Sequence, residues 1–200
     1  MAATIQIVGM RQRVDTEGAL VVNTCSNSAS SWQSGLSPFL IGPCELFKGY
    51  VAKNMENGWQ YTKLYETHAN ARGEPTPAFW AWAKQGFNNA RAVRYPMGRG
   101  ARPLHAWWDG EKLPYIEARK RIYGPLYAEA VQKTDGFKHL KKLYESESKL
   151  ILRDFDGHDH DRLKMSLSQV LNNPRRKMGH AFVLKMLLTE DDALSQMDLR

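Results

Sequence analysis

The sequence predicts a single α+β domain, mainly helical, with a few short strands. Three observations carry that expectation. A chain of 200 residues suits one domain and can bury most of the surface that it exposes when unfolded. Its β-branched runs are short and scattered, whereas helix-type patterns recur through the middle and the end. No internal repeat and no low-complexity linker divides it.

In chain order, residues 3–9 (ATIQIVG) and 18–24 (GALVVNT) are short β-branched runs bounded by glycine or polar residues, and both predict strands. CSNSASSW (25–32) is a polar, serine-rich loop. SPFLIGPCELFKG (37–49) predicts two extended pieces around a Gly42-Pro43 turn. Helical signals run from about Tyr50 to about Ala69, and a second helix over 76–90 opens with Pro77 at an N1-like position. Residues 92–111 are rich in Gly, Pro and Arg and predict a long ordered loop. Helices then fit 114–131, kinked or split at Gly124-Pro125, and 135–145. LILRDF (150–155) is the clearest strand signal of the second half. A last helix fits 177–188, and the tail 189–200 is expected to fray.

Composition narrows the function classes. Hydrophobic residues make up 42% and charged residues 24%, the balance of an ordinary globular protein. No apolar run approaches the roughly 18 residues of a membrane span, so no membrane partner is expected. MAATIQIVGMRQRVD lacks the apolar core and cleavage site of a signal peptide. The two cysteines, Cys25 and Cys44, are too few for a disulfide framework or a Cys-rich zinc site. A reducing, cytoplasmic setting is the expectation. The net charge of +7 fits nucleic acid, and equally a nucleotide or pyrophosphate ligand that a few arginines would hold.

Within the helix predicted from Tyr50, Glu56, Gln60 and Lys63 fall in one sector about 60° wide at 100° per residue. Met55, Trp59 and Ala52 flank that sector on one side and Leu64 on the other. A polar row between apolar neighbours is the pattern of a helix lining a pocket, and it is also the pattern of a boundary helix whose charges reach water. Burial and the lysine would push the Glu56 pKa in opposite directions, so its protonation stays open here.

Taken together, SPFLIGPCELFKGYVAKNMENGWQYTKLY (37–65) resembles the N-terminal signature of the NADAR (YbiA-like) superfamily. Phe39 stands for its aromatic, Gly49 for its turn glycine, and Glu56, Gln60 and Lys63 for its helix row. The usual small-Glu-His-x-x-Gln core is altered, because Asn57 follows the glutamate and Trp59 precedes the glutamine. The resemblance continues through residues 107–127, 139–156 and 178–188 and covers a core of about 36–188, marking a divergent branch. It implies a NADAR-like fold and an N-glycosidase acting on ADP-ribose-like or phosphoribosyl N-glycosides, without cofactor or metal. A carboxylate would stabilise the oxocarbenium-like ribosyl centre while water attacks, and Glu56 is the candidate. Lys63, Arg94, Arg99 and Arg119 could meet phosphates, and Trp32, Trp59 or Trp107 could stack on a base. Two other readings stand beside it: a nucleotide- or nucleic-acid-binding module without catalysis, and a transferase placing a sugar on a modified base.

LILRDFDGHDH (150–160) is dense in ligand-type side chains. The Asp-x-Asp-Gly resembles that of haloacid-dehalogenase-type phosphatases, but too little chain follows Asp156 for the rest of such a sheet, and His158 replaces the usual Thr. A calcium loop counted from Asp154 would end on Met165 instead of a bidentate Glu. A transition-metal site from Asp156, His158 and His160 needs an extended chain where Gly157 predicts a turn. What remains is a polar turn at a strand end, or an active-site turn in which Asp154 or Asp156 works beside Glu56 as a second carboxylate. RYPMGRGARP (94–103) carries two glycines and three arginines, Arg94, Arg99 and Arg102, which suits wrapping a phosphate or simply a solvated loop. Arg175, Arg176 and Lys177 fall at a predicted helix start, where they oppose its dipole and would favour an anion.

Overall fold

The computed structural model describes residues 2–199. The elements are β1 (Thr4–Gly9), β2 (Leu20–Asn23), α1 (Ser31–Ser34), β3 (Cys44–Glu45), β4 (Val51–Ala52), α2 (Met55–Gln60), β5 (Lys63–Leu64), α3 (Pro77–Phe87), β6 (His105–Trp108), β7 (Glu111–Leu113), α4 (Tyr115–Ala118), α5 (Gly124–Val131), α6 (Asp135–Ser146), β8 (Lys149–Asp154), α7 (Leu167–Leu171) and α8 (His180–Thr189). A π-helical turn over Arg119–Tyr123 joins α4 to α5. Short 3₁₀ turns cover Glu66–His68 and Asp192–Gln196.

The sheet that organises the molecule is parallel and three-stranded, in the order β1-β8-β2. Its middle strand comes from the far end of the chain. Leu150, Ile151 and Leu152 are all fully buried, as expected for a parallel strand covered on both faces. α8 packs on β8 and β1 and against α5. Its seven buried residues, His180 to Leu188, show why it is apolar nearly all round. Ligands of open parallel sheets gather at the carboxyl ends of the strands. Here those ends are Gly9, Asn23 and Asp154, with Met10, Cys25 and Phe155 one or two residues beyond them. All three of the latter line one cavity.

The α+β expectation holds at the level of class, and several elements differ from it. The helix expected to run to about Ala69 stops at Gln60. Lys63 and Leu64 leave it to pair with Ala106 and His105 of β6, a partner forty residues away that no local propensity encodes. The loop expected over 92–111 ends early, because β6 and β7 form a hairpin around Asp109 and Gly110, both at positive φ. The tail expected to fray is docked, with Ala193 and Met197 buried. The split at Gly124-Pro125 is a π-turn that passes into α5. Among the described residues no helix is long and apolar enough to cross a membrane.

One glycine fixes the end of α2. A Cβ at Gly86 in α3 would lie 2.0–2.2 Å from the Tyr61 ring, which caps α2 and is wedged against Trp82 at 4.6 Å between centroids. Glycine inside a helix costs about 0.5–1 kcal/mol relative to alanine, and this contact is the compensation. Gly86→Ala is therefore expected to destabilise the protein by about 1–3 kcal/mol, despite its better helix propensity, as read by chemical denaturation.

Candidate active site

A cavity of about 660 Å³ opens at the carboxyl edge of the parallel sheet. That volume suits a nucleotide-sized ligand. Phe39, Glu56, Trp59, Gln60 and Lys63 reach it from one side, and Arg94, Arg99, Arg119, Asp154 and Asp156 from the others. Trp107 lies in β6 and Trp32 packs on His139 at 4.5 Å; neither lines it.

Glu56 sits in the first turn of α2, and only 5% of it is exposed. Its Oε1 accepts from Gln60 Nε2 at 2.8 Å, and Gln60 Oε1 accepts from Lys63 Nζ at 2.7 Å. The amide can face only one way in this chain, because an ammonium has no acceptor to offer. Burial drives the Glu56 pKa up, and the Gln60 hydrogen bond and the Lys63 charge only partly oppose it. Desolvation lowers Lys63 to about 8, with Glu56 pulling the other way. Lys63 Nζ also lies 4.5 Å from the centre of the Trp59 ring, a cation–π contact that keeps the ammonium at the cavity wall. The three residues act as one relay although the helix ends before Lys63.

Asn57, which departs from the expected histidine, organises the next wall. Its amide donates to Asn89 O and Arg91 O, both at 2.9 Å, and its oxygen accepts from Val93 N at 2.8 Å. This clamp delivers Arg94. The guanidinium reaches Asp156 Oδ2 at 2.6 Å and lies 4.0 Å from the centre of the Phe155 ring. Arg99 and Lys177 gather over Tyr95 at 5.8 and 5.6 Å. The mouth is therefore cationic and aromatic, with Phe155 66% exposed.

Three residues expected to meet substrate are already engaged. Arg119 is buried and donates to the carbonyls of Val170, Leu171, Asn173 and Arg176 and to the Tyr115 hydroxyl, at 2.8–3.1 Å. It fastens the 170–176 segment to the π-turn, and those bonds occupy its fork. Asp156 is the partner of Arg94. Asp154 Oδ2 accepts from Ala181 N at 2.9 Å, in the first turn of α8, and lies 3.3 Å from His180 Nδ1. The metal set drawn from Asp156, His158 and His160 does not converge. His160 is held by Met165 O and Lys185 Nζ, at 2.6 and 2.9 Å. Lys177, expected to favour an anion, lines the cavity, and so do Cys25 and His180, which were not singled out as site residues. Cys25 lies two residues beyond the end of β2, and its place after a β-branched run is the signal that could have found it.

No family model, curated protein or solved structure matches this chain.

Proposed function

We propose that the protein is an N-glycosidase of NADAR-like type, hydrolysing an N-glycosidic bond of an ADP-ribosylated or phosphoribosyl nucleotide or nucleic-acid base. The observation that carries this reading is a carboxyl group, Glu56, buried in a nucleotide-sized cavity whose mouth is cationic. When the C1′–N bond breaks, its electron pair leaves with the base and positive charge develops at the ribosyl centre. An ionised Glu56 stabilises that charge and accepts a proton from the water whose oxygen bonds to C1′. The proton then returns to the departing base or to solvent. Arg99 and Lys177 suit the phosphates, while Phe39, Tyr95 and Phe155 offer stacking faces.

The electrostatics give this reading a pH test. Turnover requires ionised Glu56, so kcat/KM rises through an acid limb lying above the ordinary glutamate value of 4.5. It falls again as Lys63 loses its proton near pH 8, since the neutral amine carries no charge and, having a lone pair, no longer fixes which way the Gln60 amide faces. Both limbs belong to the interacting pair. Lys63→Met is expected to lower the rate and abolish the alkaline limb. An alkaline limb that persists unchanged in this variant would remove Lys63 from the relay.

The exposed Phe155 and the stacked cations favour one second reading, a binding module for single-stranded nucleic acid without turnover. It predicts affinity that falls with salt at a slope of several phosphates, and no product.

A further inference from the structure

We infer that Cys25, Asp154 and His180 form a binding site for a zinc-type divalent cation on the wall of the cavity. The three side chains come from three places in the fold: the residue after Thr24 beyond β2, the last residue of β8 and the first residue of α8. One ligand-type atom from each lies within 4.8 Å of the other two, and they are the one such group among the described residues. Sulfur, nitrogen and carboxylate oxygen together are the donor set that zinc takes.

The geometry of the histidine is the second observation. His180 Nε2 lies 2.8 Å from Thr24 O. A carbonyl can only accept, so this nitrogen carries a proton and donates. Nδ1 then faces Asp154 Oδ2 at 3.3 Å. In the neutral ring both of these atoms are acceptors, and two acceptors at that distance need a cation between them. A proton or a metal ion fits. Two ligands about 2.0–2.1 Å from a tetrahedral zinc stand about 3.3–3.4 Å apart, which the nitrogen–oxygen separation already meets. The sulfur would close to about 3.6 Å from each on the same geometry.

The surroundings are those of a built site. The bond from His180 to Thr24 O fixes the ring with its other nitrogen, the usual support of a metal-bound histidine. The Tyr127 ring meets the imidazole edge-on at 5.4 Å. Asp154 and His180 are 2% and 4% exposed, whereas Cys25 is only half-buried. All three residues line the cavity. Burial and the nearby Asp154 push the Cys25 thiol up to about 11. A divalent ion would reverse this by taking the thiolate, with the thiol proton passing to solvent. This site shares the cavity with the Glu56 relay but needs no turnover to be detected.

Cobalt(II) reports on it directly. Chelator-treated protein titrated with Co²⁺ should bind one equivalent, with a near-ultraviolet thiolate-to-cobalt band that Zn²⁺ abolishes. Cys25→Ser should lose that band while keeping the far-ultraviolet dichroism of the wild type. His180→Gln should weaken Co²⁺ binding at least tenfold. Cys44→Ser should change nothing, because Cys44 is the other free cysteine and lies outside the group. Absence of the band in the wild type, its persistence in Cys25→Ser, or its loss in Cys44→Ser would overturn the assignment.

Discussion

Glu56→Gln is expected to lower kcat by roughly 10²–10⁴-fold and to leave ligand affinity within a few-fold. Glutamine has the same shape and can still pair with the Gln60 amide, but it can neither carry charge opposite a ribosyl cation nor take a proton from water. Loss of fold would be a trivial cause of inactivity, and the electrostatics argue against it. The raised pKa of Glu56 means that the folded protein holds this proton more tightly than the unfolded chain does. Wild-type stability therefore declines as pH rises from the ordinary carboxylate range through the raised value. The amide lacks that decline, so at neutral pH the variant should melt no lower than the wild type. Inactivity combined with retained stability and binding is the signature of a group that acts in the transition state. Equal turnover by both proteins would remove Glu56 from the chemistry.

The second large effect is expected at Gly179. A Cβ there would lie 2.1 Å from Asp154 Oδ2 and 2.6 Å from its Cγ. Asp154 has nowhere to go, because it ends the central strand and caps α8 through Ala181 N. Gly179→Ala therefore displaces a buried carboxylate from its helix and from His180. A cost of about 2–4 kcal/mol follows, which for a chain of 200 residues lowers Tm by roughly 4–16 °C. Because Gly179 also lines the cavity, ligand affinity should fall with stability. A melting temperature equal to that of the wild type would mean that the strand and the helix are not locked together at this point.

These residues also show what the chain discloses before it folds. β8 was legible because LILRDF packs β-branched and aliphatic residues into one uninterrupted run, and α3 because Pro77 stands where a helix begins. The row Glu56, Gln60, Lys63 was legible as a cluster for an incomplete reason. Helical spacing brought it out, yet Lys63 is placed by its pairing with β6. The hairpin of β6 and β7 carried its own signal, Asp109-Gly110 directly after the His105–Trp108 run, which the charged Glu111-Lys112 on the far side and the surrounding Gly- and Arg-rich composition masked. The Cys25, Asp154 and His180 group could not be read at all. Cys25 lies most of the chain away from Asp154 and His180, and it meets them only when β8 inserts between β1 and β2. For the same reason LILRDFDGHDH looked like a self-contained motif. Its first aspartate serves α8 and its second holds Arg94, while His158 packs on the Phe182 ring and His160 is held by Met165 O and Lys185.

The central claim is that water attacks a ribosyl C1′ under the control of Glu56. Hydrolysis of an ADP-ribosylated nucleoside in ¹⁸O-labelled water, followed by mass spectrometry, tests it most directly. The wild type should release the unmodified nucleoside together with ADP-ribose carrying one ¹⁸O, and Glu56→Gln should give no product above background. Saturable binding of the nucleoside by the wild type without cleavage, or equal labelling by both proteins, would contradict it.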